Sequence, residues 1–278
     1  MINYLQFKVY CSDQDEKDKL VAILSDYGFD GFEETPDCLM ATGTESSADI
    51  SNTEEWLVKN GYTFEVEKIP EQNWNALWES NFSPVVVNDF VAVRAHFHEP
   101  VANVQHELII TPKMSFGTGH HATTNLMIRS MQNLAISGRR VFDFGTGTGV
   151  LAILAAKMGA LKVEAIDIDS WSIENAHENV IMNGVGNIIH IWQDESPAKA
   201  GEADVILANI NKHIILQHLG VLKEKLAKQG FLVLSGLLAD DEAEIETAAR
   251  ESGLIRTDFL DMNNWISLVY RRMDLIVN

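Results

Sequence analysis

Cysteine, proline and positive charge are all scarce in this chain of 278 residues: it holds two cysteines and six prolines, and 21 Lys and Arg stand against 40 Asp and Glu. Cys11 and Cys38 form no Cys-x-x-Cys pair and are expected to be free and reduced. No Cys/His ligand cluster appears, so no metal is expected. No apolar run approaches the roughly 18 residues that a membrane helix needs, which argues against membrane association. Asp13, Asp15, Glu16, Lys17, Asp18 and Lys19 crowd the first twenty residues and exclude a signal-peptide core there. A cytoplasmic location is the resulting expectation, with the protein a monomer. The shortage of bases leaves a formal net charge of −19. Such a surface repels phosphate backbones and favours basic partners, so nucleic acid is not expected as a direct substrate. The same charge also serves solubility.

What is present is an ordinary globular composition, 46% apolar and 22% charged, on a length that suggests about two domains. Residues 1–68 read as a small βαββαβ unit. Leu5, Phe7 and Val9 alternate with polar neighbours, and Leu20, Val21, Leu24 and Tyr27 then share a helical face that Gly28 ends. Strands follow around Gly31–Glu34 and Cys38–Thr42, then a helix around Thr53–Asn60, then alternation at Tyr62, Phe64 and Val66. That order predicts an α+β ferredoxin-like domain. It contains no catalytic constellation, so its expected task is recognition. It is also acidic, with 15 acids against 5 bases in residues 1–70. Residues 69–84 read as a joint, one short helix with Trp74, Leu77 and Trp78 between Pro70 and Pro84. Strands are expected at Pro84–Val87, Phe90–Arg94 and Glu107–Thr111; from residue 139 strands and helices alternate, which predicts a parallel α/β sheet closed by an antiparallel hairpin around Thr257–Leu260 and Trp265–Tyr270.

Two stretches share four letters: "SFGTGHHATT" at residues 115–124 and "DFGTGTGV" at 143–150. Nothing around them matches, so they are not a repeat. The second follows a strand and opens a helix, where glycines let a ligand approach the backbone. Gly145, Gly147 and Gly149 step by two and two, and Val150 occupies the place of a dinucleotide fingerprint's third glycine. Asp143, two residues before Gly145, would repel a pyrophosphate and suits a cationic amino-acid ammonium. This turn resembles the D/E-x-G-x-G-x-G turn of class I methyltransferases. Asp167, 18 residues past Gly149 in "AIDID", has the spacing of a carboxylate that accepts both ribose hydroxyls. Asp169 is expected to cap the following helix. Asp194 either reaches an adenine amino group or is a solvated loop acid. The fourth strand, "ADVILAN", ends at Asn209, where parallel strands line the ligand crevice. No proline and no aromatic follow, which favours a flexible amine over a planar base or amide as acceptor.

In that order and spacing, "FGTGHHATT", "DFGTGTGVLAI", "AIDID" and "ANI" resemble the PrmA family over essentially the whole chain. The family uses S-adenosylmethionine to methylate large-subunit ribosomal protein eleven. The resemblance implies a class I, Rossmann-like seven-stranded catalytic domain at 85–278 and cofactor contacts at Thr124, Gly145, Asp167 and Asn209, with Asp143 and Gly147 in the same turn. Asn209 is also expected to act on the acceptor amine, because a neutral amide can orient a neutral amine where a carboxylate would stabilise the charged, unreactive ammonium. The family usually has proline where Ala122 stands. The first FGTG copy then reads as a lid-like loop over the cofactor. Phe116 packs either on the cofactor or into the core, and His120 and His121 are either proton acceptors or structural. Methyl transfer to another basic protein or a small-molecule amine is the competing enzymatic reading, and a non-enzymatic cofactor-binding module is the competing class.

Overall fold

The computed structural model describes residues 4–69, 83–111, 113 and 115–273. The chain divides into two compact units, Met1–Phe82 and Ser83–Asn278. In the first, strand β1 (Tyr4–Tyr10) buries Leu5, Phe7 and Val9 while its alternate residues stay accessible, as the period of two requires. Asp13 caps helix α1 (Gln14–Asp26) by accepting the Glu16 amide at 3.0 Å. Strands β2 (Gly31–Glu34) and β3 (Cys38–Thr44), helix α2 (Ile50–Lys59) and strand β4 (Thr63–Ile69) complete the unit. The sheet order is β2-β3-β1-β4 with antiparallel neighbours throughout, which is the split βαβ arrangement. Phe7, Leu20, Leu24, Phe29, Leu39 and Leu57 form its core. The joint helix with Trp74, Leu77 and Trp78 lies outside the described residues.

The second unit opens with a three-stranded sheet of β5 (Val85–Val87), β6 (Val91–Arg94) and β7 (His106–Ile109), followed by helix α3 (Ala122–Gln132). Strands β8 (Arg140–Phe144), β9 (Lys162–Asp167), β10 (Ile189–Gln193), β11 (Ala203–Asn209) and β12 (Leu226–Leu238) then alternate with helices α4 (Val150–Lys157), α5 (Ser170–Met182) and α6 (Lys212–Lys225). Helix α7 (Glu242–Glu251) leads to β13 (Leu254–Met262) and β14 (Trp265–Arg272). The seven strands stand in the order β10-β9-β8-β11-β12-β14-β13. β8 to β12 are parallel, and β14 runs antiparallel to both β12 and β13. Apolar side chains fill both faces of this sheet, Ile153, Val163 and Leu207 on one and Phe142, Ile206 and Leu222 on the other. The chain reverses its direction of sheet growth between β8 and β11. That switch point, at the carboxyl ends of the strands, is where an open α/β sheet presents a crevice.

Candidate active site

The crevice is a cavity of about 820 Å³, within the usual range for small-molecule sites. Its walls come from the ends of four adjacent strands: Gly145 and Gly147 after β8, Asp167 and Ile168 at β9, Asp194 and Glu195 after β10, and Asn209 with Ile210 at β11. Ser115, Phe116 and Gly117 of the first FGTG stretch line it as well.

The two FGTG stretches are bonded to each other. The Thr148 amide donates to the Phe116 carbonyl at 2.9 Å, and the Thr148 hydroxyl donates to the Gly117 carbonyl at 2.7 Å. This pairing requires Gly147, whose φ is +54°. A Cβ on it would sit 2.3 Å from the Phe116 carbonyl oxygen, a backbone atom that cannot swing aside. The first stretch is thus a wall built onto the second, and the repeated letters reflect two turns meeting face to face.

Asp167 is fixed by its own backbone neighbours. Its Oδ2 accepts the Gly147 amide at 2.8 Å and its Oδ1 the Asp169 amide at 3.0 Å. Each carboxylate oxygen has a second lone pair, so capacity for further donors remains. Asp169 caps α5, accepting the Trp171 amide. Asp143 is only 1% exposed and does not line the cavity; it lies beneath the turn, where the Thr146 hydroxyl donates to its Oδ2 at 2.6 Å and its Oδ1 has no partner. Burial pushes its carboxyl up to about 7, with the Asp167 charge adding to the shift and the Thr146 bond opposing it. Asp194 lines the cavity and pairs with Lys199 at 2.8 Å; that bond and the Ser196 amide hold its carboxyl below the usual range. Asn209 ends β11 beside Ser235 of β12, and its Oδ1 is buried without a partner.

Of the residues singled out in the sequence, Gly145, Gly147, Asp167 and Asn209 meet around this one cavity. Thr124 does not reach it. Its side chain is fully buried, with Oγ1 unpartnered, and the neighbouring Thr123 and His121 form the wall instead. His121 Nδ1 accepts the Thr123 amide and pairs with the Thr123 hydroxyl at 2.8 Å, so it caps α3. His120 bonds the Thr118 hydroxyl and the Ser83 carbonyl, and is not part of the cavity wall. Phe116 is 53% exposed, which removes the core-packing alternative.

Gly236, His218 and Trp265 line the cavity although nothing in the local sequence marks them. Gly236 has a φ of +81°, and a Cβ there would meet the Ile210 carbonyl oxygen at 2.4 Å, so this glycine lets β12 press against the backbone beyond Asn209. The Trp265 ring lies 4.9 Å from that of His121, which in turn lies 5.3 Å from Phe116. His218 of α6 packs edge-on against Phe144 at 5.4 Å. Among the described residues, no group of three His, Cys, Asp or Glu could hold a metal ion, and no helix is long and apolar enough to cross a membrane.

The family model of the ribosomal protein L11 methyltransferases, PrmA, matches residues 5–273. This chain belongs to that family. A ribosomal protein L11 methyltransferase from Porphyromonas gingivalis is 39% identical over 260 residues, covering 90% of this chain and 89% of its own. One from Bacteroides thetaiotaomicron is 32% identical over 279 residues, covering 97% and 99% respectively. A crystal structure of ribosomal protein L11 methylase from Lactobacillus delbrueckii subsp. bulgaricus superposes with a TM-score of 0.64 at 29% identity, covering 69% of this chain and 100% of the other. The larger unit therefore has the class I methyltransferase fold, and the chain is a methyltransferase of the PrmA family.

Proposed function

We propose that this chain transfers methyl groups from S-adenosylmethionine to amines of ribosomal protein L11, at lysine side chains, the α-amine or both. Family membership supports the protein substrate. The observation that carries the chemistry is the unpartnered Oδ1 of Asn209 in the cavity that Gly145, Gly147 and Asp167 also line. A buried polar atom without a partner costs stability, and a ligand that donates to it removes that cost.

The residues fit the cofactor. Gly145 and Gly147 leave the turn open, Asp167 keeps lone pairs for ribose hydroxyls, and Asp143 lies beneath the turn as a buried carboxyl. Asp167, Gly145 and Gly147 would hold it directly. When bound, S-adenosylmethionine supplies a methyl group already activated on a sulfonium.

The remaining work falls to the chain, and it is mostly positioning. A lysine ammonium has no lone pair, and neutralising it at pH 7 costs about 4–5 kcal/mol from a pKa near 10.4; an α-amine near 7.8 costs only about 1 kcal/mol. A carboxylate at position 209 would stabilise the charged, unreactive amine. The neutral amide of Asn209 accepts from an amine without that penalty and directs its lone pair. The acidic unit at residues 4–69 is suited to a basic protein, and its role in this reading is to recognise L11. Incubation with labelled S-adenosylmethionine and the ribosomal proteins of the same cell tests the proposal. Label in the L11 band is expected; label in another protein, or none, would overturn the assigned substrate.

A further inference from the structure

Helix α5 carries an asparagine on every fourth residue: Asn175, Asn179 and Asn183. The last stands at the C-cap of the helix, and the first two are buried, 1% and 0% exposed. Burying polar amides in a row is costly unless each is bonded. Asn179 and Asn183 bond an unpaired strand edge, while Asn175 accepts from Asn179 and keeps a buried Nδ2 without a partner. β7 is the outer strand of its three-stranded sheet, and Ile110 uses the inner side by donating to the Arg94 carbonyl at 2.8 Å. Ile109 and Thr111 therefore turn their backbone groups outward. The Ile109 amide donates to Asn183 Oδ1 at 3.0 Å, and Asn183 Nδ2 donates back to the Ile109 carbonyl at 2.7 Å. The Thr111 amide donates to Asn179 Oδ1 at 2.8 Å. The periods match: two strand residues advance about 6.8 Å and four helical residues about 6 Å, so amides at i and i+4 meet backbone groups at j and j+2.

Asn179 does one thing that Asn183 does not. Its Nδ2 donates to the Thr148 carbonyl at 2.8 Å, within the second glycine turn, as well as to Asn175 Oδ1 at 3.1 Å. One side-chain amide thus bonds the strand from which the first FGTG stretch departs and the turn of the second. Thr148 is also the residue whose amide and hydroxyl hold Phe116 and Gly117. The loop and the turn are fixed to a common point, one helical turn beyond Ala176, which packs against Gly149.

We propose that Asn179 is a positioning residue for the methyl-donor site, setting the distance between the first FGTG loop and the second through its paired bonds to Thr111 and Thr148. The proposal rests on the S-adenosylmethionine reading for its functional consequence, and its structural part stands without ligand. Asn179→Ala and Asn183→Ala both remove an amide that holds the β7 edge, so both lower the melting temperature. They separate in two other readouts. In Asn179→Ala, the Thr148 amide exchanges with deuterium at least ten-fold faster, because its bond to Phe116 loosens; in Asn183→Ala its protection is unchanged. Calorimetric titration with S-adenosylmethionine, at a temperature where all proteins are folded, gives about a ten-fold weaker Kd for Asn179→Ala and an unchanged Kd for Asn183→Ala.

Equal Thr148 protection and equal affinity in folded Asn179→Ala and Asn183→Ala would overturn the proposal. A wild-type protein that binds no S-adenosylmethionine would overturn the functional reading itself, which distinguishes the two failures.

Discussion

Gly147→Ala is the sharpest local test of a cradle formed by two facing turns. Gly147 has a φ of +54°, and an L-residue held in that region costs about 1–2 kcal/mol. The added Cβ would also sit 2.3 Å from the Phe116 carbonyl oxygen, so the first loop must move away from the turn. That movement breaks the 2.9 Å bond from the Thr148 amide and disturbs the 2.7 Å bond from its hydroxyl, each worth about 1 kcal/mol net. Together these give a loss of about 2–4 kcal/mol. Gly138→Ala is the matched control: its φ is +74°, and a Cβ there meets nothing within 4 Å, so only the strain of about 1–2 kcal/mol applies. Urea unfolding of the two variants should differ by about 1–2 kcal/mol. Calorimetry with S-adenosylmethionine should show a Kd at least ten-fold weaker for Gly147→Ala, a factor that corresponds to about 1.4 kcal/mol, and no change for Gly138→Ala. Equal stability and equal affinity in the two would refute the idea that contact between the turns shapes the site.

Asp167→Ala should weaken S-adenosylmethionine binding by about 1–3 kcal/mol through loss of charge-assisted bonds, and unchanged affinity in the folded variant would remove its assignment. Asn209→Ala should lower turnover strongly with little change in melting temperature, and Asn209→Asp should also be impaired; wild-type turnover by Asn209→Asp at neutral pH would contradict the neutral-orienter argument. Asp143, with its carboxyl raised from an ordinary 3.8 to about 7, favours the fold in its neutral form, a contribution whole below about pH 4 and lost as pH rises through about 7. Asp143→Asn should therefore gain stability over wild type as pH rises from 4 to 8, by roughly 4 kcal/mol at most, and a pH-independent difference in urea unfolding would refute this. Residues 83–278 alone should bind S-adenosylmethionine yet methylate L11 poorly, and full activity on the intact protein would rule out a recognition role for the N-terminal unit.

Much of the fold was legible because its elements obey local periods. Leu5, Phe7 and Val9 alternate on a central strand, and β8 ends at Phe144 where the glycine turn begins. The turn was readable because glycine spacing and the acids at 143 and 167 are close in sequence. β12 was harder: Gly230 and Gly236 look like its limits, yet it runs from Leu226 to Leu238 and absorbs Gly236 through a register shift between Leu234 and Leu237. β13 hides its alternation in the same way, with a shift between Arg256 and Asp258. In the site, Thr124 and Thr123 were separated only by the point at which α3 begins. One residue turns a helical side chain by about 100°, and with His121 as the N-cap it is Thr123 that meets the cavity. Trp265 and Gly236 reach the cavity through antiparallel pairing of β14 with β12, a tertiary event with no local spacing to announce it. The asparagines of α5 read as ordinary polar helix residues until β7 is laid beside them.

In the proposed reaction this cavity places an amine of L11 against an activated methyl group, with Asn209 as the orienting residue. Tandem mass spectrometry of purified L11, after incubation with S-adenosylmethionine and either the wild-type chain or Asn209→Ala, tests it directly when cofactor affinity is measured on the same two proteins. Methyl groups on lysine or α-amine nitrogens with the wild type, and strongly reduced transfer by an Asn209→Ala variant that still binds the cofactor, is the expected result. Methylation at non-amine atoms, or undiminished transfer by Asn209→Ala, would contradict it.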